Sequence, residues 1–439
     1  KVSLSLLKKD AETGKPLEGV VFGLYAQEDI KNAAGEVVVE KDALIELGTT
    51  DEEGKLVFQA DLPHGKYYIQ EVEHKPGYLP NDEVYSFDAS YTDQTLELLA
   101  FSEEISNQPT ITEFTKVDLT GGQEIEGAKM QILDQDGKVV EEWVSKKEPH
   151  VVYALEPGEY VLHEEQAPTE QGYVRAEDVK FVVEETGDVQ KVKMEDDHTK
   201  VSISKTDITD GKEIEGAKLQ ILNQDGEVVE SWTTGEEHLI EYLPIGTYTL
   251  HEEAAVDGYI VANDVEFTVE ETGEIQKVKM EDERAMGQLV IVKTDTDSKT
   301  ALEGVEFVLL EKETGEEVGR LKTGKDGKAV SELLPIGTYE NGVFKEPITY
   351  VLKETATLKG YEKTEEEWEI VFTYQNDKTP VIEVVKEIQN KKIPETPGTV
   401  KPGPKTGDDT NWFLPLLALG VSAGMVAGLL YYRKRHKKA

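Results

Sequence analysis

Apolar and polar residues alternate along most of the chain in runs of about five to eight residues, the period of a strand with one buried face. Turns such as Asp136-Gly137, Asp225-Gly226 and Asp326-Gly327 separate the runs. No stretch before residue 411 combines helical periodicity with caps. One recurrent run breaks its own pattern. In Tyr160-Val161-Leu162-His163-Glu164, the residues Tyr160, Leu162 and Glu164 share a face. A face with an aromatic ring and a leucine should be buried, so Glu164 stands where a core side chain is expected. The pentad returns as Tyr67-Tyr68-Ile69-Gln70-Glu71, Tyr248-Thr249-Leu250-His251-Glu252 and Tyr350-Val351-Leu352-Lys353-Glu354. Each inward carboxylate needs a partner, because burying it alone is costly.

Other markers recur in step with the pentad. Leu17-Glu18-Gly19, Ile125-Glu126-Gly127, Ile214-Glu215-Gly216 and Leu302-Glu303-Gly304 each follow a Lys-x-Asp, and each pentad precedes a Gly-Tyr: Gly77-Tyr78, Gly172-Tyr173, Gly258-Tyr259 and Gly360-Tyr361. Such self-similarity marks a repeat protein. We place the repeats at 1–109, 110–199, 200–286 and 287–393, each an all-β sandwich of about seven strands. Insertions near 26–45 and 340–348 set the first and fourth repeats apart and read as loops. From Pro394 a Pro/Gly-rich linker runs to 403. Residues 404–439 follow, with an uncharged apolar run from Trp412 to Tyr432, long enough to cross ~30 Å of hydrocarbon as a helix. The basic residues 433–438 would hold the cytoplasmic side.

Composition narrows the function. With 89 acidic and 47 basic residues the net charge is −42, which argues against nucleic acid or anionic lipid as partner of the repeats and accounts for their solubility. There is no cysteine, so disulfides and thiolate metal sites are excluded and any covalent staple must use other side chains. The chain begins at Lys1 inside a strand-like run, without Met or signal peptide, as expected of a fragment or mature form preceded by further sequence. His163 and His251 alternate to the face opposite the pentad glutamates, which disfavours them as ligands. Asp134-Gln135-Asp136-Gly137 has Ile132 where a calcium loop needs an acidic first ligand, so it reads as a hairpin turn. No Ser/His/Asp set, phosphate loop or HExxH motif occurs, and neither cofactor nor metal is expected.

The glutamates have company. In the first strand of each repeat a lysine falls in phase with apolar residues: Lys8 after Leu4 and Leu6, Lys116 after Phe114, Lys205 after Val201 and Ile203, Lys293 after Leu289 and Ile291. In the last strand an Asn or Asp does the same: Asn107, Asp196, Asp282 and Asn390. Burial lowers an amine's pKa and raises a carboxyl's. A neutral amine is a nucleophile, and a carboxyl beside it can shuttle protons. Held together, amine and side-chain carbonyl could form an amide with loss of ammonia or water, proximity supplying ~7–11 kcal/mol of the barrier. A buried salt-bridge triad without a bond suits the same positions. Four recurrences in one order and one strand phase favour the bond.

Lys-x-Asp, x-Glu-Gly, Tyr-x-x-x-Glu, Gly-Tyr and a terminal Asn or Asp together resemble the Cna B-type (SpaA-like) domain of Gram-positive surface proteins and pilins, over residues 1–393. The resemblance implies four prealbumin-like sandwiches, each with an autocatalytic intramolecular isopeptide bond. By position these would be Lys8–Asn107 with Glu71, Lys116–Asp196 with Glu164, Lys205–Asp282 with Glu252, and Lys293–Asn390 with Glu354. The glutamates would be catalytic only within their own domains, which makes the protein no enzyme. The C-terminus resembles an LPxTG-type sortase sorting signal in Pro404-Lys405-Thr406-Gly407, with Gly403 in place of the family's leucine. A sortase would cleave after Thr406 and join it to peptidoglycan or to a pilin subunit, leaving the span as a temporary membrane stop. These features imply a cell-wall-anchored stalk or minor pilin on the cell surface, supporting adhesion. The absence of a Tyr-Pro-Lys donor motif favours an accessory subunit or monomeric wall protein over a backbone pilin. Two alternatives stay open: a matrix-binding adhesin whose repeats touch a host matrix protein, and a spacer for a surface enzyme encoded upstream.

Overall fold

The computed structural model describes residues 1–90 and 97–394. The sorting-signal motif Pro404–Gly407, the apolar span and the basic tail lie outside the described residues, as does the linker beyond Pro394. Four all-β sandwiches follow one another, and a single 3-10 turn, Thr169–Gln171, is the only helical element among the described residues.

The second and third sandwiches share one topology, described for the second. One sheet has the order His150–Tyr153, Ile111–Asp118, Val189–His198, Tyr173–Val174; the other has Val139–Val144, Lys129–Leu133, Gly158–Gln166, Val179–Val183. That makes eight strands rather than about seven, the additional one being only two residues long. Phe114, Met130, Ile132, Leu162, Val192 and Met194 meet between the sheets. Each such side chain, removed from water, contributes about 1.5–3 kcal/mol.

In every sandwich the first and last strands lie side by side and parallel: Val2–Asp10 with Leu99–Asn107, Ile111–Asp118 with Val189–His198, Lys200–Asp207 with Ile275–Arg284, and Met286–Asp295 with Val381–Asn390. A parallel pair requires a long crossover. Here the crossover is the rest of the domain, so residues 77 to 99 positions apart become neighbours.

The Glu-Gly markers hold the first strand in place. Leu17, Ile125, Ile214 and Leu302 each donate their backbone N–H to the carbonyl of the lysine in the strand before them, at 2.7–3.0 Å. The lysine N–H groups are satisfied in two ways. Lys8 and Lys293 donate to the carbonyls of Gly54 and Gly327, whereas Lys116 and Lys205 donate to the side chains of Glu124 and Glu213. The insertions are hairpins rather than loops: Ile30–Lys31 with Val37–Val39 in the first sandwich, Gly337–Glu340 with Val343–Pro347 in the fourth.

Gly327 has φ +74°, and a Cβ there would lie 2.5 Å from the carbonyl oxygen of Lys293. Gly327→Ala should therefore destabilise the fourth sandwich by about 1–3 kcal/mol. Calorimetric melting of the full chain, with the other three transitions unmoved, checks this.

Candidate functional site: a buried amine, carboxyl and carboxamide in each sandwich

The alternation of the first strand carries each lysine into the core. Lys8, Lys205 and Lys293 are at most 1% exposed and Lys116 4%. Lys9, its neighbour in sequence, faces outward and pairs with Glu104 at 2.8 Å. The glutamates reach the same place from the opposite sheet. Each lies across from an apolar residue: Glu71 from Phe22, Glu164 from Met130, Glu252 from Leu219, Glu354 from Phe307. In all four a register shift falls immediately beside that pair. A β-bulge re-aims a side chain, which is how a charged group at a strand's end is turned onto the lysine.

The last strand completes each cluster. Lys8 Nζ donates to Asn107 Oδ1, Lys116 Nζ to Asp196 Oδ1, Lys205 Nζ to Asp282 Oδ1 and Lys293 Nζ to Asn390 Oδ1, all as short contacts. The glutamate carboxylates stand 2.9, 3.0, 2.9 and 2.8 Å from the four amines in chain order. All twelve side chains singled out from the sequence are thus brought together, three per sandwich, and all are essentially buried.

The clusters come in two forms. In the first and fourth sandwiches the amide nitrogen of Asn107 donates to Glu71 Oε1 at 2.9 Å, and that of Asn390 to Glu354 Oε1 at 2.7 Å. One amine, one carboxyl and one carboxamide meet in each of these two clusters. The lysine amines sit over the rings of Phe22 and Phe307, at 5.4 and 5.7 Å from the centroids. Burial lowers the pKa of Lys8 and Lys293, outweighing the opposing hydrogen bond and charge of Glu71 and Glu354. In the second and third sandwiches two carboxyls face one amine. Burial, and secondarily the nearby Glu164 or Glu252, pushes Asp196 and Asp282 up to about 7 against the pull of Lys116 and Lys205. Asp196 Oδ2 and Glu164 Oε1 have no other hydrogen-bond partner, nor have Asp282 Oδ2 and Glu252 Oε1. Burial beside a second carboxyl therefore favours the protonated form of Asp196 and Asp282. The glutamate oxygen that faces the lysine amine, Oε2, also accepts from the Ala176 or Ala262 N–H, at 2.8 and 2.6 Å.

A second buried network went unread in the sequence, although both its motifs were found as repeat markers. The aspartate of each Lys-x-Asp lies two residues beyond the lysine and is buried by the same alternation. Tyr78 donates to Asp10, Tyr259 to Asp207 and Tyr361 to Asp295, at 2.9, 2.8 and 2.9 Å, so the Gly-Tyr marker exists to meet the Lys-x-Asp marker. Asp118 receives Tyr242, from the third sandwich, at 2.8 Å. The other oxygen of each aspartate caps the turn that follows, as Asp10 does for Glu12 and Thr13. The residue after each aspartate donates its N–H to the backbone carbonyl of Asn107, Asp196, Asp282 or Asn390. The network therefore fixes the acceptor residue's backbone against the end of the lysine strand. Burial opposes the charge of Asp118, yet hydrogen bonds from Thr120, Gly121 and Tyr242 hold its carboxyl well below the usual range.

His163 and His251 lie on the outer face and pair with Asp178 and Asp264, both at 2.7 Å. No group of three or more His, Asp or Glu suited to a metal occurs among the described residues.

Residues 2–101, 110–198, 199–284 and 287–388 each match the SpaA prealbumin-like fold domain. No curated protein matches the chain. Among solved structures, the TIE protein of Bacillus anthracis is 23% identical, with a TM-score of 0.47, over 88% of this chain and 73% of that one. A streptococcal ancillary pilin is 16% identical over 65% of this chain and 99% of its own, with a TM-score of 0.27. BcpA, the major pilin subunit of Bacillus cereus, is 14% identical over 64% and 99%, also at 0.27. The chain belongs to the SpaA family, as four tandem prealbumin-like domains.

Proposed function

We propose that the protein is a structural stalk or minor pilin of a Gram-positive cell surface, each domain stapled by an isopeptide bond between its first and last strands. The observation that carries the reading is the contact of four buried lysine amines with the side-chain oxygen of Asn107, Asp196, Asp282 or Asn390, each with a glutamate alongside. Nζ attacks the side-chain carbonyl carbon and a C–N bond forms. The glutamate takes a proton from the amine and returns it to the leaving group. Ammonia departs from Asn107 and Asn390, water from Asp196 and Asp282. The product is neutral, so the cost of burying charge falls away.

The topology supports a mechanical role. Each lysine lies near the far end of the first strand, close to where the last strand leaves the domain. Tension entering at the N-terminus would run along the first strand, cross the amide and leave by the last strand. The rest of the domain stands outside that path. Attachment would use a sortase acting after Thr406, with residues 412–432 halting the chain in the membrane until transfer to peptidoglycan or a pilin subunit. A matrix-binding role is favoured by one observation: the first domain exposes Val37 and Val38 on its insertion, and Leu44 and Leu47 on the strand that follows. Val37→Asp with Val38→Asp would abolish matrix binding on that reading.

Intact mass of the purified chain should fall short of the residue sum by about 17 Da for each Asn bond and 18 Da for each Asp bond, since each amine displaces ammonia or water. A mass equal to the full sum would sink the proposal. Glu252→Ala should restore about 18 Da to the third domain alone.

Acidity separates the two kinds of domain. Before bonding, folded Asp196 and Asp282 keep a proton to about 7 that an ordinary aspartyl releases near 3.8. The folded state binds more protons, so the unbonded fold loses stability as pH rises from about 4 through 7. Chain refolded from urea at pH 6 and at pH 8.5 should therefore show less cross-linked peptide from domains two and three at the higher pH, with domains one and four unchanged. Under force, Glu252→Ala should add an unfolding step of roughly 25 nm, from about 3.3–3.6 Å for each of the 77 positions separating Lys205 and Asp282; the unaltered domain should add none.

A further inference from the structure

Linked domains move relative to one another by default, unless a substantial interface holds them. The three junctions of this chain share one backbone frame. The glycine of each Gly-Tyr accepts an N–H from the linker to the next domain: Gly77 from Thr110, Gly172 from Thr199, Gly258 from Ala285, at 2.8–2.9 Å. All three glycines have positive φ and lie beneath the following domain, where a Cβ would meet Ala154, Tyr242 or Phe344 within 2.7 Å.

The side chains that fill this frame differ. At the second junction Thr199 alone separates the strands. Tyr242 of the third domain reaches into the second. Its hydroxyl donates to Asp118, its ring stacks on the buried His198 at 3.9 Å and stands edge-on to Tyr173 at 5.6 Å. At the third junction Ala285 alone separates the strands. The fourth domain's insertion hairpin closes over it. Tyr339 donates to the Gly258 carbonyl at 2.8 Å, packs edge-on against Tyr259 at 5.2 Å and lies under the Arg284 guanidinium at 4.1 Å. Arg284 is itself held by Asp207 at 2.6 Å, and Tyr374 donates to the Tyr259 carbonyl at 2.9 Å. Aromatic and cation–π contacts of this kind are worth about 0.5–2 kcal/mol each beyond the area they bury.

At the first junction Ala154 occupies the place of Tyr242. Three residues, Gln108, Pro109 and Thr110, separate the strands. Among the described residues, Ala154 packs against the first domain's core, and the polar side-chain contacts across the junction are a partly exposed His74–Glu185 pair and a Thr110 hydroxyl bond to the Leu155 carbonyl. Among the described residues no ring pair spans it. We infer that the chain carries one hinge, between the first and second domains, and that domains two to four move as a single stiff body locked by Tyr242, Tyr339 and Arg284. The fourth domain's insertion is then an interdomain clamp, not a ligand loop.

The absence of native cysteine makes the test direct. Spin labels at paired exposed positions, Val57→Cys with Val140→Cys, Val140→Cys with Val229→Cys, and Val229→Cys with Val330→Cys, bracket the three junctions of the full chain. Pulsed electron resonance should return a distance distribution at least twofold broader for the first pair than for the other two. Tyr242→Ala should broaden the second distribution alone, and Tyr339→Ala the third alone. Equal widths at all three junctions of the otherwise unaltered chain would overturn the inference, and that comparison needs no destabilising change. So would a second distribution that keeps its width in Tyr242→Ala.

Discussion

The contact between a buried lysine amine and the Asn or Asp side chain of a parallel neighbouring strand is the constraint around which each domain is built. Three polar groups in an apolar core are unfavourable unless they satisfy one another. The fold meets that condition by bringing the two ends of the domain together, with the glutamate delivered from the opposite sheet beside a register shift. The frame around the lysine follows from the same need, since its own N–H and C=O must also be paired inside the core.

Environment, rather than residue type, sets the charge of the carboxyls. Asp118 and Asp196 are directly opposed in register, as are Asp207 and Asp282. Asp118 and Asp207 are ringed by N–H and O–H donors and keep their charge despite burial. Asp196 and Asp282 meet one amine and another carboxyl, and burial pushes them up to about 7. Neighbours on one strand pair thus have their pKa values moved in opposite directions. The first carries the turn that positions the backbone; the second is suited to lose its oxygen as water.

The same Gly-Tyr loop serves two scales. Within a domain its tyrosine secures the buried aspartate, and between domains its glycine leaves room for the next domain to seat. Side chains added at that seat, Tyr242 at one junction and the Tyr339 hairpin at another, convert a shared backbone frame into a lock. Ala154 leaves the frame without one.

Strand alternation alone placed Lys116, Glu164 and Asp196 on inward faces, and chose Lys8 over Lys9, because a period of two leaves one face for the core. Repetition aligned the four clusters before any contact was known. Alternation cannot say which inward residues touch. That Asp118 meets Tyr242 of the next domain, that Tyr78 meets Asp10, and that the insertion at 340–348 is a hairpin seated on its neighbour depend on contacts between distant segments. The register shift beside each glutamate is likewise invisible in sequence, since it arises from how two strands pair rather than from either one. The sequence determined which side chains are buried together in each domain; tertiary structure decided their partners, their protons and the stiffness of the joints, because those follow from distances that only packing sets.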